Sequence, residues 1–231
     1  MGVTAFDTAD IYGQGDSERI IGKALRGRRA QAMVVTKFGK GFSPVMSALR
    51  PFKPVIRPLL GGRRGQAVAA RRSGHMREDF RIESLSRALE GSLRRLRVEQ
   101  VDAVLLHGPP ADVLVDPAIG EFLASVRASG KAARTGVSVE TLADVEAALR
   151  FEAVDLLQVP YDLVDTLEAP SWTEALSARG VALMAREVIR LQPGLPPVEA
   201  VRQAASRPSL ATVVVGTRRL DHLHELAAVA G

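Results

Sequence analysis

The 231-residue chain has no cysteine. Disulfide bridges, thiolate metal centres and cysteine nucleophiles are therefore excluded, and a reducing compartment is permitted. The chain also lacks any run of about 18 or more apolar residues, the length a membrane-spanning helix needs. Its start, MGVTAFDTAD, has neither a basic leader nor a long apolar stretch, so no secretory signal is expected and the cytoplasm is the expected location. Acidic residues are missing from one stretch: between Lys40 and Arg77 there are nine Lys and Arg and no Asp or Glu. The whole chain carries only +5, so the remainder is net acidic and the high pI comes from one segment. A general affinity for nucleic acid does not follow. What remains is ordinary for a globular protein, with 46% apolar and 25% charged residues. One core and a single domain over residues 1–231 are expected.

Short β-branched runs alternate with helical stretches. Val3–Phe6, Met33–Thr36, Val101–Leu106, Ala133–Val137, Val154–Val159, Val181–Ala185 and Thr212–Val215 read as strands, apolar on both faces as in a buried parallel sheet. Helices are expected at Ser17–Leu25, Ile82–Leu96, Pro117–Ala128, Thr141–Leu149, Ser171–Ala178, Pro197–Ser206 and Leu220–Val229. The second carries Leu85, Leu89, Leu93 and Leu96 on one stripe. The polar residue after each strand is Asp7, Lys37, His107, Ser138, Gln158, Arg186 or Gly216. Most of these recur at about 30 residues, once a basic, Pro- and Gly-rich insertion at 40–78 is set aside. That period predicts an α/β fold of the (β/α)8 TIM-barrel type, with its chemistry at the rim formed by the strands' C-terminal ends. Seven strand–helix units are visible, so the first βα unit is expected to be lacking and the N-terminus truncated. A doubly wound sheet is the rival, but Gly13-Gln14-Gly15 lacks the third glycine of a dinucleotide fingerprint.

The insertion holds Pro44, Pro51, Pro54 and Pro58 and then Gly61-Gly62, and reads as a loop folded over the rim or a substrate lid. Its aromatics are sparse, which argues against a nucleic-acid or membrane surface. The four histidines are His75, His107, His222 and His224. The last two are two residues apart and do not share a helix face, so no metal site is expected.

The run Phe6-Asp7-Thr8-Ala9-Asp10-Ile11-Tyr12-Gly13, followed by Ser17-Glu18-Arg19-Ile20-Ile21-Gly22, resembles the first signature of the aldo-keto reductases. These are NAD(P)H-dependent carbonyl reductases on a (β/α)8 barrel. Val35-Thr36-Lys37-Phe38-Gly39 and Val101–His107 resemble the family's lysine and histidine strands, and Gly136-Val137-Ser138, Leu157–Tyr161 and Val215–Arg218 extend the likeness nearly end to end. The resemblance implies a catalytic set of Asp7, Tyr12, Lys37 and His107. Tyr12 would protonate the alkoxide left by hydride transfer, Lys37 would lower its pKa, Asp7 would support Lys37, and His107 would orient the carbonyl. It implies that Ser138 and Gln158 hold the nicotinamide carboxamide. Gly216, Thr217 and Arg218 would hold phosphate, with Arg218 and Arg219 favouring NADPH over NADH, and Glu225 would meet adenine. Arg186 stands where an aromatic ring commonly stacks on nicotinamide, Val139 replaces an asparagine beside the carboxamide, and Leu226 replaces an asparagine after the helix glutamate.

The expected function is reduction of a small aldehyde or ketone with NADPH, NADH being the alternative donor. The competing expectation is a catalytically impaired barrel that binds nucleotide or a protein partner, since a barrel short of one strand has two unpaired edges through which copies could associate. A third is an anionic-surface binder acting through Lys40–Arg77, which would lose affinity steeply with salt.

Overall fold

The computed structural model of the chain describes residues 3–42 and 76–230. Most of the expected insertion, including its prolines and its apolar residues, lies outside the described residues. Seven strands form one parallel sheet: β1 (Ala5–Asp7), β2 (Met33–Phe38), β5 (Val101–His107), β6 (Ala132–Ser138), β7 (Leu156–Pro160), β8 (Ala182–Arg186) and β9 (Leu210–Val213), in that spatial order. Every neighbouring pair is parallel. The sheet curls into an incomplete barrel, the (β/α)8 type with one unit missing. Its helices are α1 (Asp16–Ala24), α2 (Ile82–Leu96), α3 (Ala111–Val115), α4 (Pro117–Ala128), α5 (Leu142–Ala148), α6 (Val164–Leu167), α7 (Pro170–Ala178), α8 (Pro197–Ala205) and α9 (Leu220–Ala227).

Side chains alternate across a strand, and this divides the core in two. The convex face packs against helices through residues such as Val34, Val104, Leu106 and Val137, which meet the buried stripe Leu85, Leu89, Leu93 and Leu96 of α2. The concave face carries a smaller plug of Val35, Ala103, Leu105, Leu156 and Met184. Two residues further along each strand on that same face stand Lys37, His107, Gln158 and Arg186. An apolar floor under a polar mouth thus follows from the period of two. Ladder register completes the mouth, with His107 opposite Ser138 and Ser138 opposite Gln158.

β1 pairs only with β2 and β9 only with β8 among the described residues, so the sheet has two open edges. Helix α1 lies against α2 at Gly22, where a Cβ would come within 2.3 Å of the Leu96 carbonyl oxygen.

Several elements differ from the sequence expectation. The ends of the insertion pair as an antiparallel ladder, β3 (Lys40–Phe42) with β4 (Met76–Glu78), in register Lys40 to Glu78. Neither run has an alternating apolar pattern, so nothing in the sequence marks them as strands. α3 and α6, of five and four residues, are too short to show a helical period. β9 lies two residues earlier than the β-branched run Thr212–Val215 suggests, because the register against β8 shifts between Leu183 and Met184. Gly216 is consequently three positions beyond its strand. Asp7, Lys37, His107, Ser138 and Arg186 are the last or near-last residues of theirs and not the residues after them.

Candidate active site

Asp7 ends β1 and Lys37 lies one residue before the end of β2. The Lys37 ammonium donates to both Asp7 carboxylate oxygens, at 2.7 and 2.6 Å, and to the Thr8 carbonyl at 3.1 Å. Its side chain is 1% exposed. Burial lowers the Lys37 pKa, and the attraction of Asp7 opposes that effect. Removing either partner would strand the other's charge in the interior.

Tyr12 sits beyond β1 on a single 3-10 turn and is 41% exposed. Lys37 Nζ lies 5.3 Å from the centre of its ring, and the His107 ring meets it edge to face at 5.8 Å. The four residues therefore come together at one mouth. The Lys37 ammonium is committed elsewhere in this arrangement. All three ammonium protons are taken by Asp7 and Thr8, and none is left for the phenol. The Tyr12 pKa is raised, first by burial and then by the Asp7 charge, while Arg186 is the cation that lowers it.

His107 is pushed down to about 3, by burial first and then by the charges of Lys37, Lys40 and Arg186. Its imidazole is neutral at physiological pH, with one N–H and one lone pair. Nδ1 is buried without a hydrogen-bond partner among the described residues. A neutral ring with an unused polar atom at a mouth can orient a carbonyl without adding charge.

The two residues expected to hold a carboxamide are buried beside this set. Ser138 Oγ donates to Gln158 Oε1 at 3.1 Å, and Gln158 Nε2 donates to Asp7 Oδ1 at 3.1 Å. Gln158 thus couples the carboxamide pair to the Asp7–Lys37 ion pair. Arg186, at the end of β8, is held by three acceptors. Its guanidinium donates to the Val139 carbonyl at 3.0 Å, to Glu140 at 2.6 Å and to Glu187 at 2.6 Å. Sequence reasoning missed both glutamates. The carboxylates at 140 and 187 each follow a strand end by one or two residues, and that spacing was the available signal.

The residues expected at the far end of a cofactor stand apart from this cluster. Gly216 and Arg218 are exposed in the loop after β9, and Glu225 is exposed on α9. Thr217 Oγ1 accepts from the Arg219 backbone N–H at 3.1 Å and caps the approach to α9. Arg219 forms a paired contact with Asp221, whereas Arg218 has no carboxylate within ion-pair distance among the described residues.

No group of three or more His, Cys, Asp and Glu among the described residues could hold a metal ion. No helix among them is long and apolar enough to cross a membrane.

The curled parallel sheet brings Asp7, Tyr12, Lys37 and His107 to one mouth, and comparisons with known proteins give the class of this barrel. A sequence model of the Aldo/keto reductase family matches residues 1–195, and the chain belongs to that family. A probable aldo-keto reductase 1 of Glycine max is 26% identical over 163 residues, covering 70% of this chain and 39% of the relative. A 6-dehydroglucose reductase of Agrobacterium fabrum is 33% identical over 142 residues, covering 60% of this chain and 39% of the relative. The chain thus spans about two fifths of the length of these curated relatives. Among solved structures, a putative aldo-keto reductase from Pseudomonas aeruginosa superposes with a TM-score of 0.71 at 26% identity, over 99% of this chain and 77% of that one. The holo form of an aldo-keto reductase from Bacillus halodurans gives a TM-score of 0.75 at 20% identity, over 99% of this chain and 77% of its own, which speaks for the fold alone.

Proposed function

We propose that the chain reduces an aldehyde or ketone to an alcohol with hydride from NADPH, Tyr12 acting as the general acid. The observation that carries this reading is the meeting of Tyr12 with the Asp7–Lys37 ion pair and the neutral His107 at one mouth. A related enzyme from Klebsiella pneumoniae has been solved with NADPH. In this chain Ser138 and Gln158 suit the carboxamide once they exchange their mutual hydrogen bond, and Arg218 is the uncommitted cation for a phosphate. The bound nicotinamide would supply the hydride. The chain's own task is placement and proton supply. His107 would donate its single N–H to the carbonyl oxygen and hold it beside the phenol. Tyr12, with its raised pKa, stays protonated through neutral pH, and an alkoxide is a far stronger base than a phenolate, so the proton moves downhill. Lys37 would then stabilise the phenolate by its charge across the ring face, its ammonium turning one N–H away from Asp7 toward it.

The test is Tyr12→Phe. The phenol hydroxyl makes no hydrogen bond among the described residues, so the variant is expected to fold as the parent does while losing about 10²–10⁴-fold in turnover. Unchanged turnover of an aldehyde panel would place the acid elsewhere.

A second reading is a barrel that binds nucleotide, or a partner or second copy along the open edges of β1 and β9, without turnover. The saturated Lys37 ammonium and the two unpaired edges favour it. Cofactor fluorescence separates the two readings: NADPH binding with no consumption in the presence of any aldehyde supports the second. Failure to bind NADPH or NADH ends both nucleotide readings.

A further inference from the structure

The turn that carries Tyr12 rests on a buried charge cluster that the proposed chemistry does not use. Three successive residues of that turn, Gly13, Gln14 and Gly15, have φ values of 61°, 62° and 81°. Left-handed backbone costs a side-chain-bearing residue such as Gln14 free energy, so the surroundings must hold the turn in place. What lies against it is Arg95, in the last turn of α2. A Cβ added at Gly15 would sit 2.6 Å from Arg95 Cδ and 2.7 Å from Nε. The glycine leaves room for the arginine stem against the turn's backbone.

Arg95 is in turn fixed from below. Its Nε donates to Glu18 Oε2 at 2.5 Å and its Nη2 donates to Ser92 Oγ at 3.1 Å. Glu18 is fully buried, and its other oxygen accepts from the Thr36 hydroxyl at 2.7 Å. Thr36 is the neighbour of Lys37 on β2. The Asp10 backbone N–H donates to the Lys37 carbonyl at 3.1 Å, and the Thr8 hydroxyl donates to Ser17 at 2.8 Å across the turn. The Asp10 carboxyl lies in the same cluster and feels both Glu18 and Arg95. One connected set of contacts therefore runs from α2 through Arg95 to the Tyr12 turn on one side, and through Glu18 and Thr36 to the lysine strand on the other.

We infer that Arg95 is a positioning residue for Tyr12: clamped by Glu18, it holds the Gly13–Gly15 turn and thereby fixes the phenol over the Asp7–Lys37 pair. A structural ion pair elsewhere on the barrel would stabilise the fold without touching this turn, whereas Arg95 contacts the turn's backbone directly. The consequence for turnover rests on the reductase reading, but the placement of the phenol does not.

The test uses the full chain in a Tyr161→Phe background. There are only two tyrosines, so Tyr12 is then the sole phenol and its ionisation is read directly by ultraviolet difference absorbance. The variant is Glu18→Gln with Arg95→Met, which removes both charges together so that neither is stranded. In the parent, burial and then the Asp7 charge hold the phenol above its ordinary value, and its titration is expected there. In the variant it is expected to move down toward about 10, the value of a solvated tyrosine. Amide exchange across residues 12–16 is expected to quicken while β2 stays protected. With turnover measurable, kcat is expected to fall by roughly 10–100-fold, the scale of a small misplacement of reacting groups, with the KM for NADPH unmoved. An unchanged phenol titration in the folded double variant overturns the inference. Should that variant not fold, Arg95→Lys, which keeps the charge and drops the Ser92 contact, must shift the titration the same way by less, and no shift in it also overturns the inference. A shifted phenol in a protein that reduces no carbonyl in any form supports the positioning role while ending the reductase reading.

Discussion

The mouth between β1 and β8 and the loop between β9 and α9 are expected to serve one bound cofactor, yet they are built differently. At the mouth, Lys37 and Gln158 are buried and both donate to Asp7. At the loop, Gly216, Arg218 and Glu225 are exposed, and Arg219 pairs with its neighbour Asp221. Strand ends in a curled sheet converge, so side chains there meet at fixed distances whatever the loops do. A loop beyond the last strand has no such constraint. The mouth is therefore where geometry can be read for chemistry, and the loop is where only chemical type and exposure can be read.

The largest effect that could break this contrast is at Lys37. Lys37→Met leaves the Asp7 carboxylate, 13% exposed, without its cation. A loss of about 3–5 kcal/mol is expected in urea unfolding, together with loss of any turnover. Adding Asp7→Leu removes the stranded charge and is expected to recover most of the stability and none of the turnover. If Lys37→Met alone unfolds no more easily than the parent, the mouth is not the tightly satisfied region described here.

A smaller effect of opposite sign is expected at Asp10. Its carboxyl is pushed up to about 7, by burial first and then by the Glu18 charge, and its Oδ1 has no hydrogen-bond partner among the described residues. An acid whose folded pKa exceeds its unfolded value of 3.8 binds its proton more tightly when folded. It therefore costs no stability below about pH 4, and the cost grows as pH rises toward 7 and then levels off. Asp10→Asn mimics the protonated form. It is expected to stabilise the protein by roughly 1–3 kcal/mol above pH 7 and by nothing near pH 4. Equal unfolding midpoints of parent and variant at both pH values would refute this.

His107 gives the reverse slope. Its pKa, lowered to about 3 from 6.5, means that the unfolded chain takes up a proton before the folded one does. The stability it contributes is complete above about pH 6.5 and is lost as pH falls toward 3. His107→Gln is expected to flatten the stability profile across that window and leave it unchanged above pH 7, as urea unfolding at a series of pH values would show.

These differences also explain what was legible in the sequence. Asp7, Lys37, His107, Ser138, Gln158 and Arg186 could be found because each lies at or near the C-terminal end of an apolar run at a repeating interval, and an interior face with period two brings them together. The Leu stripe of α2 was legible for the same reason at period 3.6. The β3–β4 ladder was not, because Lys40-Gly41-Phe42 and Met76-Arg77-Glu78 have no apolar alternation, and the Lys40–Glu78 ion pair joins residues far apart in the chain. Nor was the state of Tyr12. That Lys37 would spend every proton on Asp7 and Thr8, and leave the phenol raised, depends on angles and distances that residue identity does not encode. The fixing of Arg186 by Glu140 and Glu187 was half legible: both carboxylates follow strand ends, but their meeting on one guanidinium joins two different strands.

The smallest effect tests the loop itself. Arg218 and Arg219 look equivalent in the sequence, but the structure separates them: Arg219 is paired with Asp221, and Arg218 is not paired among the described residues. If the loop receives the 2′-phosphate that distinguishes NADPH from NADH, Arg218 is the arginine free to take it as a charge-assisted, two-pronged contact. Arg218→Ala is expected to weaken NADPH binding by about 10-fold, the equivalent of roughly 1.4 kcal/mol, and to leave NADH binding unchanged. Arg219→Ala is expected to do less, because that guanidinium must first leave its carboxylate. Fluorescence titrations of the two variants with both cofactors measure the ratio directly. A larger NADPH loss in Arg219→Ala than in Arg218→Ala would mean that Asp221 releases its partner on binding, and that this exposed end of the site, unlike the mouth, rearranges to receive its ligand.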